Sequence, residues 1–431
     1  MTAALEIVGR HFGARHGQLL VGEIPALEIA EAYGTPLFVY DRAVLERKHQ
    51  ILRRTLPAEF SICYSIKANP NPEIIRCFLA LGCGLEVASS GELQLARSAA
   101  CPAGKILFAG PGKTEEEIES ALRAGIGELH AESLLEIRRI GCLAGRLGVR
   151  ARVAIRINPG GEAEGGAMRM GARATPFGID EEQLDAALDA ALSEPGIDLT
   201  GIHLFSGTQI LDHGVLIAQY AKAFELAGRV SDRLGRSLET IDFGGGLGIP
   251  YFAGDPELDM DRLGAGVASL AERSRKDARF RGTALVVEPG RYLVGESGVY
   301  LTRVNDIKTS RGKKFVVVDG GMNHHLAASG NLGQTIKRNF PAAIANKLDA
   351  AAAGVADVVG PLCTPLDVLA RNLSLPEVEV GDLFAVFQSG AYARTASPLG
   401  FLSHPTPPEV LVHDRQHRLI RQREGIADHT V

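Results

Sequence analysis

Residues 61–88 read SICYSIKANPNPEIIRCFLALGCGLEVA. An apolar run, SICYSI at 61–66, has the composition of a buried strand and is followed at once by Lys67. Pro72 stands where a proline can occupy the first turn of a helix. A second apolar run, GLEVA at 84–88, follows. Strand, helix and strand are therefore expected within 28 residues. The same beat recurs along the chain, with strands predicted at 105–109, 128–131, 152–157, 200–205, 240–243 and 284–288. Ser89 with Glu92, and Thr114 with Glu117, have the spacing of helix capping boxes. The stretches 181–192, 214–234 and 259–274 carry apolar residues at helical period. Eight strands alternating with helices, in units of near-equal size, fit a (β/α)8 barrel better than a doubly wound open sheet.

After Glu288 the pattern changes. YLVGESGVYLTRVNDIK, KKFVVVDGG, DLFAVFQSGAYA, PEVLVHD and HRLIRQRE read as strands with turns. TPLFVYD at 35–41 also reads as a strand, ahead of the barrel. The expected organisation is a barrel over 42–286 and a discontinuous β domain from 1–41 and 287–431. The Ala-rich piece 341–355 reads as a helix or a surface loop.

Composition narrows the function classes. The 431 residues are 45% hydrophobic and 23% charged, with a net charge of −5 and no basic cluster. That argues against a nucleic-acid surface. The sequence has no apolar run long enough for a membrane span and no secretory h-region at the N-terminus. Six cysteines lack C-x-x-C pairing and zinc spacing, so a reduced, cytoplasmic protein without a bound metal is expected.

In such a barrel, chemistry gathers where the strands end. The first strand ends at Lys67. The sixth runs into HLFSGTQ (203–209), the seventh into DFGGGLG (242–248) and the eighth into EPGR (288–291). A lone lysine is usually a solvated cation, and a lone glycine triplet is usually a turn. Their joint placement at one mouth favours function. Gly244, Gly245 and Gly246 fall where barrels bind phosphate, and Arg291 can add a charge-assisted bond. Lys67 has the position of a Schiff-base lysine. Glu288 supplies a carboxylate for a pyridinium nitrogen. Phosphate, lysine and acid together describe pyridoxal phosphate.

The chain resembles the alanine-racemase-fold, pyridoxal-dependent decarboxylases that include the diaminopimelate, ornithine and arginine enzymes. The motifs that carry the resemblance are YSIKANPNP, GLEVASSGEL, FAGPGKT, RINP, GTQ, GGGLGIPY, EPGRYLV, VVVDGGM, GPLCTPLD and SGAYA, spread over roughly residues 20–425. The resemblance implies that Lys67 bonds the cofactor and Glu288 pairs with its ring nitrogen. Gly244, Gly245, Gly246, Arg291, Thr208 and Tyr392 would contact the phosphate. Glu86 would sit near the lysine, and His203 near the ring. Cys363 would return a proton after CO2 leaves. In the family that cysteine comes from the partner subunit, which implies a homodimer with shared active sites.

Departures from the family pattern bear on the substrate. Phe205 stands where the family has a ring-stacking histidine. Thr364 follows the cysteine where diaminopimelate enzymes carry an acid, and NHHLAAS (323–329) lacks their arginine. Both charged contacts to a distal amino-acid end would be lost, which disfavours diaminopimelate. These variants resemble the butirosin-type branch, which decarboxylates a glutamyl group tethered to an acyl carrier protein. Thr364, Asp367, His324 and His325 are candidate substrate contacts, although the two histidines fit a surface loop equally well. The alternatives are a decarboxylase of diaminopimelate or another free basic amino acid, an amino-acid racemase or a non-catalytic, regulatory pyridoxal-binding homologue. Glu288 opposes the racemase, and the presence of both Lys67 and Cys363 opposes the non-catalytic reading.

Overall fold

The computed structural model describes residues 2–160, 168–169, 174–205 and 207–425, so Ser206 of HLFSGTQ lies outside it. The chain divides into two compact units, one of residues 48–249 and 257–293, the other of 1–47, 250–256 and 294–431. These bounds sit a few residues beyond the expected 41/42 and 286/287. Residues 250–256, expected inside the barrel domain, belong to the other unit.

The first unit is a closed parallel barrel. Its strands are Phe60–Ser65 (β1), Gly84–Val87 (β2), Ile106–Phe108 (β3), Glu128–Ala131 (β4), Ala151–Asn158 (β5), Ile197–Leu204 (β6), Thr240–Asp242 (β7) and Ala284–Val287 (β8). Each pairs in parallel with the next, and Leu285–Val287 of β8 return to Phe60–Ile62 of β1. The (β/α)8 expectation holds, with all eight strands at their predicted places. Closure pairs each of the eight strands on both sides and leaves the sheet no edge, and the amphipathic helices between the strands cover its outer face.

The helices start where the capping residues say. Pro72–Ala80 (α1) opens on Asn71, whose side chain accepts from Glu73 N at 3.0 Å, with proline in the first turn. Glu115–Ala124 (α3) has both arms of the Thr114–Glu117 capping box. Ser90–Ser98 (α2) has only one arm, because Glu92 turns its carboxylate to Ala88 N (2.7 Å) while Ser89 Oγ caps Glu92 N. The three periodic stretches become Leu184–Ser193, His213–Leu234 and Met260–Lys276.

The barrel interior is unusual in composition. Barrel cores are mostly branched apolar side chains. Here Glu128 and His130 alternate along β4, and His203 and Asp242 join them from β6 and β7, all buried. The His130 and His203 rings stack with centroids 4.3 Å apart, although β4 and β6 are not neighbours, so this contact passes through the barrel centre.

The second unit is a β structure. Its main sheet runs Val368–Leu375, Gly354–Val359, Lys313–Val318, Gly298–Ser310, Leu37–Asp41, Glu409–His413 and Gln416–Arg421. Leu37–Asp41 pairs antiparallel with Gly298–Leu301 and parallel with Glu409–Val412. Leu37, Val39, Val299, Leu301, Val410 and Val412 bury their side chains in one core with Ile7, Val8 and Ile29 from the N-terminal segment. Each such side chain contributes roughly 1.5–3 kcal/mol. The Ala-rich piece departs from expectation in part: Ala342–Ile344 is a strand paired with Phe384–Val386, while 345–353 is irregular and exposed from residue 349. No helix among the described residues is long and apolar enough to cross a membrane.

Candidate active site

Lys67 follows β1 in the single turn Ile66–Ala68. Its Nζ lies 3.0 Å from both carboxylate oxygens of Glu86, which is fully buried on β2 and also accepts from Ser65 Oγ. The lysine side chain is 44% exposed, so the ammonium is oriented from one side and open on the other. The turn beyond it is fixed by Tyr64 Oη donating to Asn69 O (3.0 Å) and Asn71 N donating to Asn69 Oδ1 (3.1 Å).

The loops after β1, β7 and β8 lock together. Ser65 N donates to Pro289 O (3.3 Å), and Glu288 N donates to Gly244 O (2.8 Å). Gly244 and Gly246 have φ of +66° and +100°, a region that favours glycine. A Cβ on Gly245 would lie 2.5 Å from Glu288 O. Gln209 clamps the far end of this loop, with its amide donating to Ile249 O and accepting from Ile249 N (3.3 Å). The structure therefore brings Lys67, the glycine triplet, Glu288 and Arg291 together in the segments that follow β1, β7 and β8, with Glu86 on β2 beside Lys67. Because a side chain cannot enter the Gly245 position without displacing backbone, Gly245→Ala should weaken pyridoxal phosphate binding roughly 10- to 100-fold. Equilibrium dialysis of the cofactor against the variant measures this.

Glu288 is buried, with His203 Nε2 3.2 Å from Oε2. Burial alone would push its carboxyl up, but His203, His130 and the Lys67 ammonium more than offset this and hold it below the usual range. Burial pushes His203 down to about 4. Asp242 is driven the other way, well above the carboxylate range, by burial and the Glu288 charge. Of these two acids, Asp242 keeps its proton and Glu288 is ionised.

The Phe205 ring packs beside Gly244 and Gly245. The Arg156 guanidinium lies 5.9 Å from that ring and 5.2 Å from Phe177. Arg156 is buried and paired with Glu132 at 2.7 Å. Glu132 also accepts from Gly110 N (2.7 Å) and Gly178 N (3.1 Å). Lys113 Nζ bonds Gly110 O, His130 O and Glu136 Oε1 at 2.6–2.7 Å, and Glu136 Oε2 accepts from Glu132 N. This buried charge network braces the loops after β3, β4 and β5. Sequence reasoning missed it, although Lys113 lies in FAGPGKT and Arg156 opens RINP. The signal was a lysine and an arginine in stretches otherwise apolar or glycine-rich.

The remaining candidates lie in the β unit. Cys363 is exposed and carries a free thiol. Its loop is held by Asp367, whose buried carboxylate accepts from Leu362 N (2.9 Å) and Met322 N (2.6 Å). Asp367 thus ties two loops instead of presenting a charge. Thr364 Oγ1 accepts from Leu366 N (3.3 Å). Tyr392 has a φ of +54°.

His324 and His325 occupy neither a surface loop nor an open channel, because both are buried. His324 contacts Tyr300 Oη with one ring nitrogen, and Asn323 Nδ2 and Pro405 O with the other (3.1–3.2 Å). His325 Nδ1 accepts from Ala328 N (3.2 Å), which leaves Nε2–H to donate to Ser389 Oγ (2.9 Å). Burial pushes both down to about 3 from an ordinary 6.5. The unfolded chain therefore binds more protons between these values, and stability falls as pH drops from about 6.5 toward 3. His325→Gln should flatten the fall of Tm between pH 7 and pH 5, read by thermal unfolding at each pH.

The family described as "Pyridoxal-dependent decarboxylase, pyridoxal binding domain" matches residues 42–295. The chain is 41% identical to the L-glutamyl-(BtrI acyl-carrier protein) decarboxylase of Niallia circulans, covering 95% of each. It is 34% identical to the diaminopimelate decarboxylase of Zymomonas mobilis, covering 97% of each. The crystal structure of diaminopimelate decarboxylase from M. jannaschii, in complex with L-lysine, superposes with a TM-score of 0.88 at 30% identity, over 97% of this chain and 96% of that one. A lysine on an acid, a glycine-rich loop beside it and a buried carboxylate are groups that fit pyridoxal phosphate, and the chain belongs to the pyridoxal-dependent amino-acid decarboxylases.

Proposed function

We propose that this decarboxylase acts on an L-glutamyl group tethered to an acyl carrier protein. One observation carries the reading. The two segments where a distal ammonium and carboxylate would be gripped, 323–329 and 360–367, offer no uncommitted ionic side chain. His324 and His325 are buried and engaged, the Asp367 carboxylate is tied to backbone, and Thr364 is neutral. A free diamino diacid would leave charges unpaired there, at a cost of several kcal/mol. A tethered acyl group has no such charges to lose. The 41% identity to the Niallia circulans enzyme supports the same reading.

When bound, pyridoxal phosphate supplies the electron sink for the charge left on Cα as CO2 departs. The chain's own residues do the rest. Lys67, steered by Glu86, would hold the cofactor's carbonyl carbon. Gly244, Gly245, Gly246, Thr208, Arg291 and Tyr392 would hold the phosphate. Glu288, kept ionised, would hold a proton on the ring nitrogen. Phe205 would face the ring, and His203 would act on it through its 3.2 Å contact with Glu288. Cys363 gives a proton to Cα, from the partner subunit of a homodimer.

The test is CO2 release with added pyridoxal phosphate. L-glutamyl carrier protein is compared with free diaminopimelate, lysine, ornithine, arginine and glutamate. Loss of one CO2 from the loaded carrier alone is the expected result. Turnover of free diaminopimelate would overturn the tethered-substrate reading.

A further inference from the structure

Five ionisable side chains meet inside the barrel: Glu128 and His130 on β4, His203 on β6, Asp242 on β7 and Glu288 after β8. All are at least nine-tenths buried. His130 is their hub. Its Nε2 lies 3.4 Å from Glu128 Oε1 and 3.8 Å from Asp242 Oδ2, and its Nδ1 lies 3.9 Å from Glu288 Oε1. One face of the ring is covered by His203. Cys63 of β1 completes the surroundings as a neutral thiol, pushed well up by burial and by the Glu288 charge. Glu128 is anchored on its other oxygen by Thr200 Oγ1 at 2.6 Å.

The geometry sets a charge problem. Glu128 and Glu288 sit on opposite sides of one imidazole, with an unbonded oxygen of each turned toward it. A neutral imidazole has one N–H and can serve only one of them, whereas an imidazolium serves both. Without a cation between them, two carboxylates cannot both stay ionised in a water-poor interior, and one takes up a proton. If that one is Glu288, it no longer holds a proton on the cofactor's ring.

We propose that His130 is a positioning residue, an imidazolium shared between Glu128 and Glu288 that keeps the Glu288 carboxylate ionised and aimed at the cofactor's ring nitrogen. This rests on the reading in which Glu288 faces that nitrogen. Asp242 and His203 stay neutral beside the pair, so the imidazolium offsets one of the two carboxylate charges and the proton on the cofactor's ring nitrogen would offset the other. His130 touches no reacting atom and acts only through Glu288.

The test uses holoenzyme loaded with 15N-labelled pyridoxal phosphate. In the wild type the ring-nitrogen resonance should report a protonated nitrogen. In His130→Asn and His130→Gln it should move to the unprotonated position with cofactor still stoichiometric. kcat should fall roughly 10- to 100-fold, the scale on which outer-shell partners act, with KM little changed. Glu288→Gln is the control. If Glu288→Gln moves the resonance and neither His130 variant does, the role of His130 is overturned and the Glu288 reading stands. If Glu288→Gln leaves the resonance in place, the Glu288 reading fails, and this proposal with it.

Neutron diffraction of wild-type holoenzyme gives an answer that needs no variant. Deuterium on both ring nitrogens of His130 is expected, and deuterium on one alone overturns the proposal. Metal analysis checks the remaining source of positive charge. Ligand atoms of His130, His203, Asp242 and Glu288 lie within 4.8 Å of one another. A stoichiometric divalent ion in purified holoenzyme would also overturn the shared-proton account.

Discussion

Lys67→Ala is expected to abolish measurable turnover, with a loss on the order of 10³-fold or more, because in the proposed function this residue provides the covalent hold on the cofactor. The fold should survive, since the side chain is half-exposed and its removal opens no core cavity. Its buried partner Glu86 would keep the Ser65 hydroxyl but lose its cation. Purified Lys67→Ala protein should therefore unfold within a few degrees of wild type. It should lack the absorbance of lysine-linked cofactor, and borohydride should fix no label to the chain. Turnover near the wild-type rate with cofactor bound would remove Lys67 from its assigned role.

The second large effect joins two inactive proteins. Cys363→Ala should slow turnover on the order of 10²–10⁴-fold, as loss of a placed proton donor does. If Cys363 serves the partner's site, mixing Cys363→Ala with Lys67→Ala under conditions that exchange subunits should restore activity. Random pairing makes half of the dimers mixed, and each mixed dimer holds one intact site out of two. Recovery should approach about one quarter of wild type. No recovery, with exchange confirmed by mass spectrometry of tagged subunits, would mean that both residues act within one chain. The exposed, unbonded thiol on a loop fixed by Asp367 is the feature that makes the donor role physically reasonable.

Much of this was legible in the sequence because it follows from local periodicity. The eight barrel strands were found because buried parallel strands are short apolar runs bounded by helix starts, and Thr114, Ser89 and Pro72 mark those starts. The residues at the strand ends were found because the barrel topology says where to look. What stayed hidden depends on contacts between segments distant in sequence. Lys113, Glu136, Glu132 and Arg156 form one network across three loops, and no single stretch shows it. Glu128 and His130 alternate along β4, which marks them as sharing a face, yet nothing local says that the face is the barrel interior. His324 and His325 looked like substrate or surface residues because paired polar side chains after a Gly-Gly turn usually meet water. Here Tyr300, Ser389, Pro405 and Ala328 satisfy them in the interior.

The pairing of Leu37–Asp41 with Glu409–His413 carries a consequence for how the chain is made. On the ribosome, the residues of the barrel unit have all been synthesised once residue 293 emerges. The β unit cannot close until its last strands arrive, more than a hundred residues later. Through that interval the edge of Leu37–Asp41 that Glu409–His413 will cover stands unpaired, an apolar edge open to other chains. Synthesis rate and chaperone supply should therefore govern the yield of active protein more than barrel stability does. Messages truncated before codon 409 should give aggregated product even though every barrel residue is present.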